Sequence, residues 1–478
     1  MNRGRQILWA SRGAAGPTPP TVRPPLALRP LVVLAALLAL AACGDAESPA
    51  PGTGPAVDAA SPAPVVRDSA GIEIRAYPAE ILAHRSPRQL AGEPQVVIGV
   101  VEGPAAYQWT RPVAAVRLTG GGFVVAEQSP GELRFFDAKG SHLRTAGTAG
   151  QGPGEFRQLA GLARLPGDTL LAWDSGSLRL TWFTPEGERV RDRTLEPQGG
   201  LQGIRHVTVD GEGGLLVLGP TTGWEELENR GRVRESWRIL PLDPGGGVGS
   251  PLGTVPGTER EVMVNRTGPG NEGIVSIEVR GRWWWGEGFV RGSDRGVWTA
   301  DRLRLEVRHF GGEASRNRAG SGEGSGSGEG ESGAPDRPDR PDRIVRVQAP
   351  DRPFTRALID SIHAAELEAV TDPELRRLWV LDMDTREYPE TVPPVESLFA
   401  DQAGRVWIGL TSRPRRILPS GGRTAVDRWL VPEPAEARGI LTLPPMSHPL
   451  WADHEGLLLL RNDPALGVAY VEWYRFEG

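Results

Sequence analysis

Hydrophobic residues in this chain form short runs separated by turns rich in Gly, Asp and Pro, from about residue 69 onward. The clearest unit, 114–147, contains four such runs: Ala115–Leu118, Phe123–Glu127, Leu133–Asp137 and His142–Thr145. Short apolar runs bounded by turn residues are typical of β-strands. The unit therefore predicts a meander of four antiparallel strands.

The same pattern recurs at a fixed interval. Segments 135–140 (FFDAKG) and 182–187 (WFTPEG) occupy the same place in two successive units, 47 positions apart. A period in the forties with four strands per unit is typical of β-propellers. Each blade of a propeller buries its two apolar faces against neighbouring blades, whereas a two-sheet sandwich does not require such a repeat.

Four more divergent units follow, beginning near Ile204, Ile274, Val395 and Leu450. The sequence therefore predicts an all-β fold, a six-bladed β-propeller of four-stranded antiparallel blades over residues 69–478. The sixth unit shows only three strands. We expect an N-terminal strand, either 72–74 or 96–98, to supply the fourth and close the ring, because closure removes open sheet edges.

Two insertions interrupt the repeats. Residues 311–343 are dominated by Gly, Ser and Glu and by Pro-Asp-Arg repeats, a composition typical of disorder. The runs Leu305–Phe310 and Ile344–Val347 on either side predict the third and fourth strands of one blade, so this segment is interpreted as a long hairpin loop. Residues 355–378 carry an approximate helical stripe and predict one helical insertion across a mouth of the ring.

The N-terminal part of the chain has a different pattern. An uninterrupted apolar run, 31–42, follows Arg23 and Arg29 and ends in small residues before Cys43. This order is typical of a secretory signal, and the run is shorter than the roughly 20 residues that a membrane-spanning helix needs. The last four residues, Leu-Ala-Ala-Cys, resemble the lipobox of bacterial lipoproteins. The resemblance implies that 1–43 is a lipoprotein signal with lipidation at Cys43.

Residues 44–68 are rich in Ala, Pro, Ser and Gly and have no periodicity. Such a segment buries too little apolar surface to order itself, so it predicts a disordered tether. We therefore expect the propeller to be held at the bacterial cell envelope by the lipid on Cys43, on the periplasmic side or at the outer membrane.

Composition and charge exclude several classes of function. The formal net charge of −6 argues against a nucleic-acid-binding protein, which needs a basic surface. Lys139 is the only lysine, which argues against Schiff-base catalysis. Cys43 is the only cysteine, so the chain forms no internal disulfide and no cysteine metal site. We expect a monomer without metal or cofactor.

One junction between units carries a family resemblance. Residues 150–156 read G-Q-G-P-G-E-F, which resembles the G-x-G-P-G-E-F junction of NHL-type six-bladed propellers. Segments 68–72 and 471–474 resemble the ends of bacterial six-bladed propeller lipoproteins. The resemblance implies the fold and, by itself, very little chemistry. The glycines permit a tight turn between blades, and Phe156 is placed to pack between them.

Acidic residues near predicted turns are the candidates for catalysis. Enzymatic six-bladed propellers place carboxylates, Asn or His around a central metal, and Glu127, Asp174, Asp401 and Asp453 lie at or near blade turns. The seven histidines are scattered, and no nucleophile elbow, phosphate loop or zinc-protease motif is present. Acids in such places more often cap turns by accepting backbone N–H bonds, so the structural interpretation is favoured.

Two further features are candidates for ligand binding. Trp283, Trp284 and Trp285 are consecutive, and tryptophan is enriched at recognition sites. The alternative, which is favoured, is that at least one of them fills a blade interface. His206, beside Arg205 near a predicted strand start, is a candidate to face the central channel.

These observations favour a non-enzymatic binding scaffold at the envelope, whose channel mouth or side groove binds a protein, peptide or glycan. The alternative is a metal-assisted hydrolase or lyase that uses acidic residues at the central channel. A third interpretation is a sensor that works with a neighbouring transport or secretion system. Bound metal and carboxylates that converge on the channel would distinguish the enzyme from the scaffold.

Overall fold

The structure of the protein is a computed structural model. It describes residues 61–210, 213–223, 226, 231–243, 247–267, 273–282, 284–293, 296–311, 340–368, 370–411, 426–463 and 465–477. Tight turns join most neighbouring strands. Gly140 and Gly187 occupy equivalent turns in the first two repeats, with φ of 82° and 83°, a left-handed conformation that favours glycine.

The strands form six sheets arranged as the blades of a propeller. Four strands precede the first blade: β1 (Val65–Ser69), β2 (Ile72–Tyr77), β3 (Gln89–Leu90) and β4 (Val96–Ile98). Blade 1 contains β5 (Pro112–Arg117), β6 (Phe123–Glu127), β7 (Glu132–Phe136) and β8 (His142–Ala146). A short parallel pair follows, β9 (Thr148–Ala149) and β10 (Glu155–Phe156). Blade 2 contains β11 (Leu159–Arg164), β12 (Leu170–Asp174), β13 (Arg179–Phe183) and β14 (Arg189–Thr194).

The remaining blades are less regular. Blade 3 contains β15 (His206–Val209), β16 (Leu215–Pro220), β17 (Arg232–Leu242), β18 (Gly253–Thr267) and β19 (Gly273–Arg280). Blade 4 contains β20 (Gly288–Ser293), β21 (Gly296–Asp301), β22 (Arg304–Gly311) and β23 (Arg343–Val347). Helices α1 (Arg356–Glu368) and α2 (Pro373–Thr385) come next. Blade 5 contains β24 (Val395–Ala400), β25 (Val406–Leu410), β26 (Arg428–Val431) and β27 (Gly439–Thr442). Blade 6 contains β28 (Ser447–Ala452), β29 (Gly456–Asp463) and β30 (Val468–Glu477). Single 3-10 turns lie at Ala79–Leu82, Ala105–Tyr107, Pro166–Asp168 and Ala435–Ala437.

An N-terminal strand completes blade 6 and closes the ring. In β4, Val96 pairs with Trp473 and Ile98 pairs with Val471 of β30. Segment 96–98 is therefore the closing strand of the two alternatives. The other, 72–74, lies in β2, which runs parallel to β23 and extends the outer edge of blade 4. The innermost strands β28 and β5 lie side by side, which completes the circle.

Blade 3 has five strands instead of four. We expected residues 274–279 to begin blade 4, but they lie in β19 and pair with β18. Strand β18 continues to Thr267, beyond its pairing with β17, and the edge opposite β17 pairs with β19 over Glu261–Thr267. Blade 4 begins at Gly288, where an added Cβ would lie 2.1 Å from the carbonyl oxygen of Pro256. Only glycine allows this contact between blades.

Aromatic side chains fill the spaces between blades. Phe156 is 1 % exposed and belongs to one core cluster with Leu133 of blade 1 and Leu170 of blade 2, as its place in the junction predicted. On the other side of blade 1, the rings of Phe123 and Trp473 lie 6.3 Å apart between centroids. This burial stabilises the ring, because a single blade has no other apolar surface to pack against.

The predicted helical insertion lies between blades 4 and 5 and contains two helices. Pro373 lies in the first turn of α2, and the Asp372 side chain accepts a hydrogen bond of 2.8 Å from the Leu375 amide. A proline and an N-cap of this kind begin a new helix. The insertion consequently extends to Thr385, beyond the predicted residue 378. No helix among the described residues has both the length and the apolar content to cross a membrane.

Strands border the two segments that the sequence predicts to be irregular, 311–343 and 44–68. Strands β22 and β23 pair with His309 opposite Arg343, so the runs that flank 311–343 are the third and fourth strands of one blade. Residues 312–339 lie outside the described residues. Strand β1 begins at Val65, inside the segment predicted as a tether, because it forms a hairpin with β2. Residues 1–60, with Cys43, lie outside the described residues.

Candidate ligand-binding channel

The innermost strand of each blade is the first strand of that blade in the chain, and its free edge faces the central channel. We call the end of the channel where these strands begin the upper face, and the other end the lower face. Because the blades are antiparallel, turns between second and third strands lie at the upper face. Turns between first and second strands lie at the lower face.

Two of the four candidate acids cap turns at the upper face. Glu127 accepts hydrogen bonds from the amides of Thr110 and Arg111 at 3.1 and 2.6 Å. Asp174, at the equivalent place in blade 2, accepts from the two residues before β11 at 2.5 and 3.2 Å. Burial raises the pKa of Glu127, although these backbone bonds act in the opposite direction. Both acids hold the start of their own blade's innermost strand.

The other two acids lie at the lower face. Asp401 accepts from the Arg405 side chain at 2.6 Å and from the Trp407 indole at 3.0 Å. Asp453 accepts from the amides of Glu455 and Gly456 at 2.7 and 3.0 Å. The four acids therefore do not converge. Within the described ranges, no group of three or more His, Cys, Asp or Glu side chains is placed to hold a metal ion.

Arginines that end the innermost strands of blades 1 and 2, at the lower face, lie over buried tryptophan rings of blade 6. The Arg117 guanidinium lies 4.7 Å from the ring centroid of Trp473, and that of Arg164 lies 5.2 Å from Trp451. Arg164 also donates to the carbonyl oxygen of Arg117 at 2.9 Å. These strands belong to blades 6, 1 and 2, so the contacts join three adjacent blades.

Bulges shape the wall of the channel in four blades. The pairing of the innermost with the second strand passes over one residue in each: Val113, Ala160, Glu396 and Leu450. A bulge re-aims the side chains around it. Ala160 is exposed, Val113 and Leu450 are partly exposed, and Glu396 is buried. Most of the re-aimed residues are therefore apolar and reachable from solvent.

His206 lies on the innermost strand of blade 3, beside Arg291 on that of blade 4. The two strands contact each other through a hydrogen bond of 2.9 Å from the Gly292 amide to the Thr208 hydroxyl. Burial within the ring lowers the pKa of His206 to about 4, and the charge of Arg291 acts in the same direction. The imidazole is partly exposed, and no hydrogen bond from a described residue holds it. At neutral pH it is an uncharged donor and acceptor next to a cation.

The consecutive tryptophans lie elsewhere. Trp284 is 3 % exposed, donates to the Glu387 carbonyl oxygen at 3.2 Å, and has its ring centroid 4.7 Å from that of Tyr388. It joins the helical insertion to the ring, which is the structural interpretation of this residue. Trp285 is partly exposed, with the Arg232 guanidinium 5.5 Å from its ring centroid. Trp283 lies outside the described residues.

A cleft between blades 2 and 3 is a second candidate for a ligand site. It encloses about 210 Å³ and is lined by residues that include Leu195, Ile204, Val217 and Leu242. Ligand pockets usually enclose about 300–1,000 Å³, so this cleft is small for a peptide or glycan. The upper end of the channel, with His206 and Arg291, remains the candidate site.

Comparison with known proteins adds no family. No protein-family model and no curated protein matches the chain, so the NHL-type resemblance is not confirmed. Among solved structures, a putative exported protein from Bacteroides fragilis has 8 % identity and a TM-score of 0.42, covering 85 % of this chain and 100 % of its own. Virginiamycin B lyase from Staphylococcus aureus has 8 % identity and a TM-score of 0.35, covering 81 % and 99 %. Structural similarity at this distance does not indicate what this chain binds or whether it catalyses a reaction.

Proposed function

We propose that this protein is a lipid-anchored, non-enzymatic binding scaffold of the bacterial envelope, which binds a carboxylate group of a peptide or glycan at the upper end of its channel. The observation that carries the proposal is the pair His206 and Arg291. The imidazole belongs to a partly exposed residue and has no hydrogen bond from a described residue, and its pKa is lowered in part by the charge of Arg291 on the adjacent innermost strand.

The chemistry of this pair favours an anion. Arg291 donates one hydrogen bond to the Val290 carbonyl oxygen at 2.7 Å, and a guanidinium carries five N–H donors in a planar arrangement that matches a carboxylate. A neutral imidazole adds one N–H donor without adding charge. Ala160, an exposed apolar residue at the bulge in the innermost strand of blade 2, lies on the blade next to that of His206. A ligand that combines a carboxylate with short aliphatic groups fits both properties.

The acids support binding rather than catalysis. Glu127, Asp174, Asp401 and Asp453 accept hydrogen bonds from their own turns and are divided between the two faces. A metal-assisted hydrolase needs carboxylates that converge on one ion. Among the described residues the channel does not offer that arrangement.

Ligand binding is tested on the mature chain from residue 43, carrying Cys43→Ser and ¹³C-labelled histidine. We expect acetate and succinate to shift one imidazole NMR signal, which His206→Gln removes. Arg291→Met should weaken binding about tenfold or more, equivalent to ~1.4 kcal/mol. His142→Gln, on the outer strand β8, is the matched control and should bind normally. Absence of any shift, or equal binding by Arg291→Met, contradicts the proposed site.

Anchoring is tested separately by intact mass spectrometry of the protein isolated from membranes. The mature wild-type chain should begin at Cys43 and carry the additional mass of acyl chains. Cys43→Ser should lack this mass, because the thiol is the site of acylation. A wild-type protein without lipid, or one that retains residues 1–42, contradicts the proposed anchor.

A further inference from the structure

Helix α2 presents a stripe of leucines to the surface of the protein. Leu375, Leu378 and Leu381 are three residues apart and share one side of the helix. Leu378 and Leu381 are 62 % and 63 % exposed. The opposite side carries buried Met383 and partly exposed Trp379, whose indole donates to Glu366 of α1 at 3.0 Å. Helix α2 is therefore fixed to α1 by one side, and the leucine stripe remains outside.

The helices that carry the stripe are attached firmly to the ring. Arg386, after α2, forms a buried ion pair of 2.6 Å with Glu366 of α1. Arg282, in the chain that leads to blade 4, pairs with Asp382 of α2 at 2.5 Å. The contact of Trp284 with Tyr388 adds an aromatic link. The stripe is thus displayed in one orientation relative to the propeller.

The surroundings of the stripe have little net charge. Asp382 is neutralised by Arg282 and Arg386, and Arg376 donates to the Leu367 carbonyl oxygen at 2.5 Å. Glu374 and Arg377 add one charge of each sign beside the leucines. Such a surface favours an apolar partner over a strongly charged one.

The route of the chain to its expected anchor lies in the same sector of the ring. Arg438 of blade 5 donates to the carbonyl oxygen of Pro62 at 3.2 Å, and the hairpin that follows extends the edge of blade 4. The helical insertion joins these two blades. Residues 44–60, which lie outside the described residues, separate Cys43 from this part of the chain.

We propose that the leucine stripe of α2 inserts into the interface of the lipid bilayer and holds the propeller against the membrane in one orientation. An interfacial helix lies in the membrane plane with its apolar side chains at the boundary of the acyl chains. Three leucines, at most about 1.5–3 kcal/mol each when fully buried, bind weakly alone. The lipid on Cys43 would keep the leucines near the bilayer, and this high local concentration would allow a weak contact to form. This proposal goes beyond ligand binding, and it rests on the lipid anchor of the proposed function.

The experiment measures flotation of the mature Cys43→Ser chain with vesicles of phosphatidylethanolamine and a minority of phosphatidylglycerol. Without the acyl chains, the stripe is the contact under test. Because the stripe alone binds weakly, the vesicles are supplied in large excess, and we expect a measurable fraction of the protein to float. This fraction should be the same at low and high salt, because the contact is hydrophobic and not screened. Leu378→Glu with Leu381→Glu should lower the partition coefficient about tenfold or more, since a buried carboxylate is costly.

The matched control places the same charges on exposed apolar residues of outer strands, Leu143→Glu with Val190→Glu. It should float like the parent, and urea unfolding should show that both variants are folded. Failure of the parent to float, or equal flotation of the two variants, overturns the proposal. The proposal is also overturned if the parent does not float but forms a dimer that the α2 substitutions abolish. Acetate binding at His206 serves as an independent readout, which separates failure here from failure of the proposed function.

Discussion

Titratable groups within the ring differ in what their polar atoms contact. Burial raises the pKa of Glu127 and of Asp401, yet each receives several N–H donors from its own blade. His206 is also surrounded by protein, but no described residue donates to it or accepts from it. The acids are therefore used by the fold, whereas the imidazole is left for a ligand or water.

Acidification should weaken the fold through His206. Its pKa falls from the usual 6.5 to about 4, so the unfolded chain binds a proton below pH 6.5 that the folded chain binds only near pH 4. The contribution of the neutral imidazole to the free energy of unfolding is fully present above pH 6.5. It is lost as the pH falls from 6.5 to about 4. We expect it to reach about 2 kcal/mol, after allowing for partial exposure.

Urea unfolding at neutral pH and near pH 4 measures this contribution. His206→Gln cannot be protonated and should lose less stability on acidification than the wild type. His142→Gln, which replaces a histidine of an outer strand, should show the wild-type pH dependence. An identical pH dependence for wild type and His206→Gln would contradict the lowered pKa of the imidazole.

Adjacent tryptophans should contribute very differently to stability. Trp284 is buried between the ring and the helical insertion, so Trp284→Ala should lower the free energy of unfolding by about 3–5 kcal/mol. Trp285 is partly exposed, so Trp285→Ala should cost less than half as much. Urea unfolding of the two variants measures the difference. Equal losses would contradict the packing described for Trp284.

At the scale of strands, the regular repeats were predictable from the sequence. Strand β6 has the predicted bounds, and β7 is displaced by one residue, because glycine turns and apolar runs define both ends of each. Blade 3 was not predictable in this way. The partner of β19 depends on how far β18 continues past β17, and that length is set by packing rather than by the alternation of residues.

The candidate site was only partly predictable for a similar reason. His206 was recognised near a strand start, but Arg291 lies on another blade, and only the closed ring brings the two together. The bulges at Val113, Ala160, Glu396 and Leu450 were also missed. A bulge changes pairing by one residue and leaves composition and periodicity almost unchanged.

The closing strand β4 offers a matched pair of substitutions. Ile98 is 1 % exposed and belongs to the core of blades 6 and 1, whereas Val97 on the same strand is 48 % exposed. Ile98→Ala should lower the free energy of unfolding by about 2–4 kcal/mol, and Val97→Ala by much less. Urea unfolding measures both. Comparable effects would contradict the position of β4 in the sheet.

For the whole molecule, the N-terminal segment connects three blades. Its hairpin, β1 and β2, extends blade 4. The chain then follows blade 5, where the amide of Ile440 donates to the His84 carbonyl oxygen at 2.7 Å. Strands β3 and β4 finally join β30 of blade 6. The segment therefore links blades 4, 5 and 6 along their outer edges, in addition to completing the last blade.

Two truncated chains separate these roles. A chain that begins at residue 79 lacks the hairpin but keeps β4, so we expect a lower urea midpoint with one cooperative transition. A chain that begins at residue 100 also lacks the closing strand. It should lose a further 4–6 kcal/mol, roughly, because Val96, Ile98 and their partners on β30 lose their buried contacts. It should also aggregate, because an unpaired edge remains on blade 6.

A synthetic peptide of residues 93–99 provides the control for the shorter chain. Added in excess, it should bind along the open edge of β30 by strand addition and raise the urea midpoint. The same peptide with Ile98→Ala should do so less well, since Ile98 supplies the buried side chain. If the chain from residue 100 unfolds at the same urea concentration as the chain from residue 79, β4 does not close the ring. The last blade would then be stable with three strands, although the burial of Ile98 indicates that it needs a fourth.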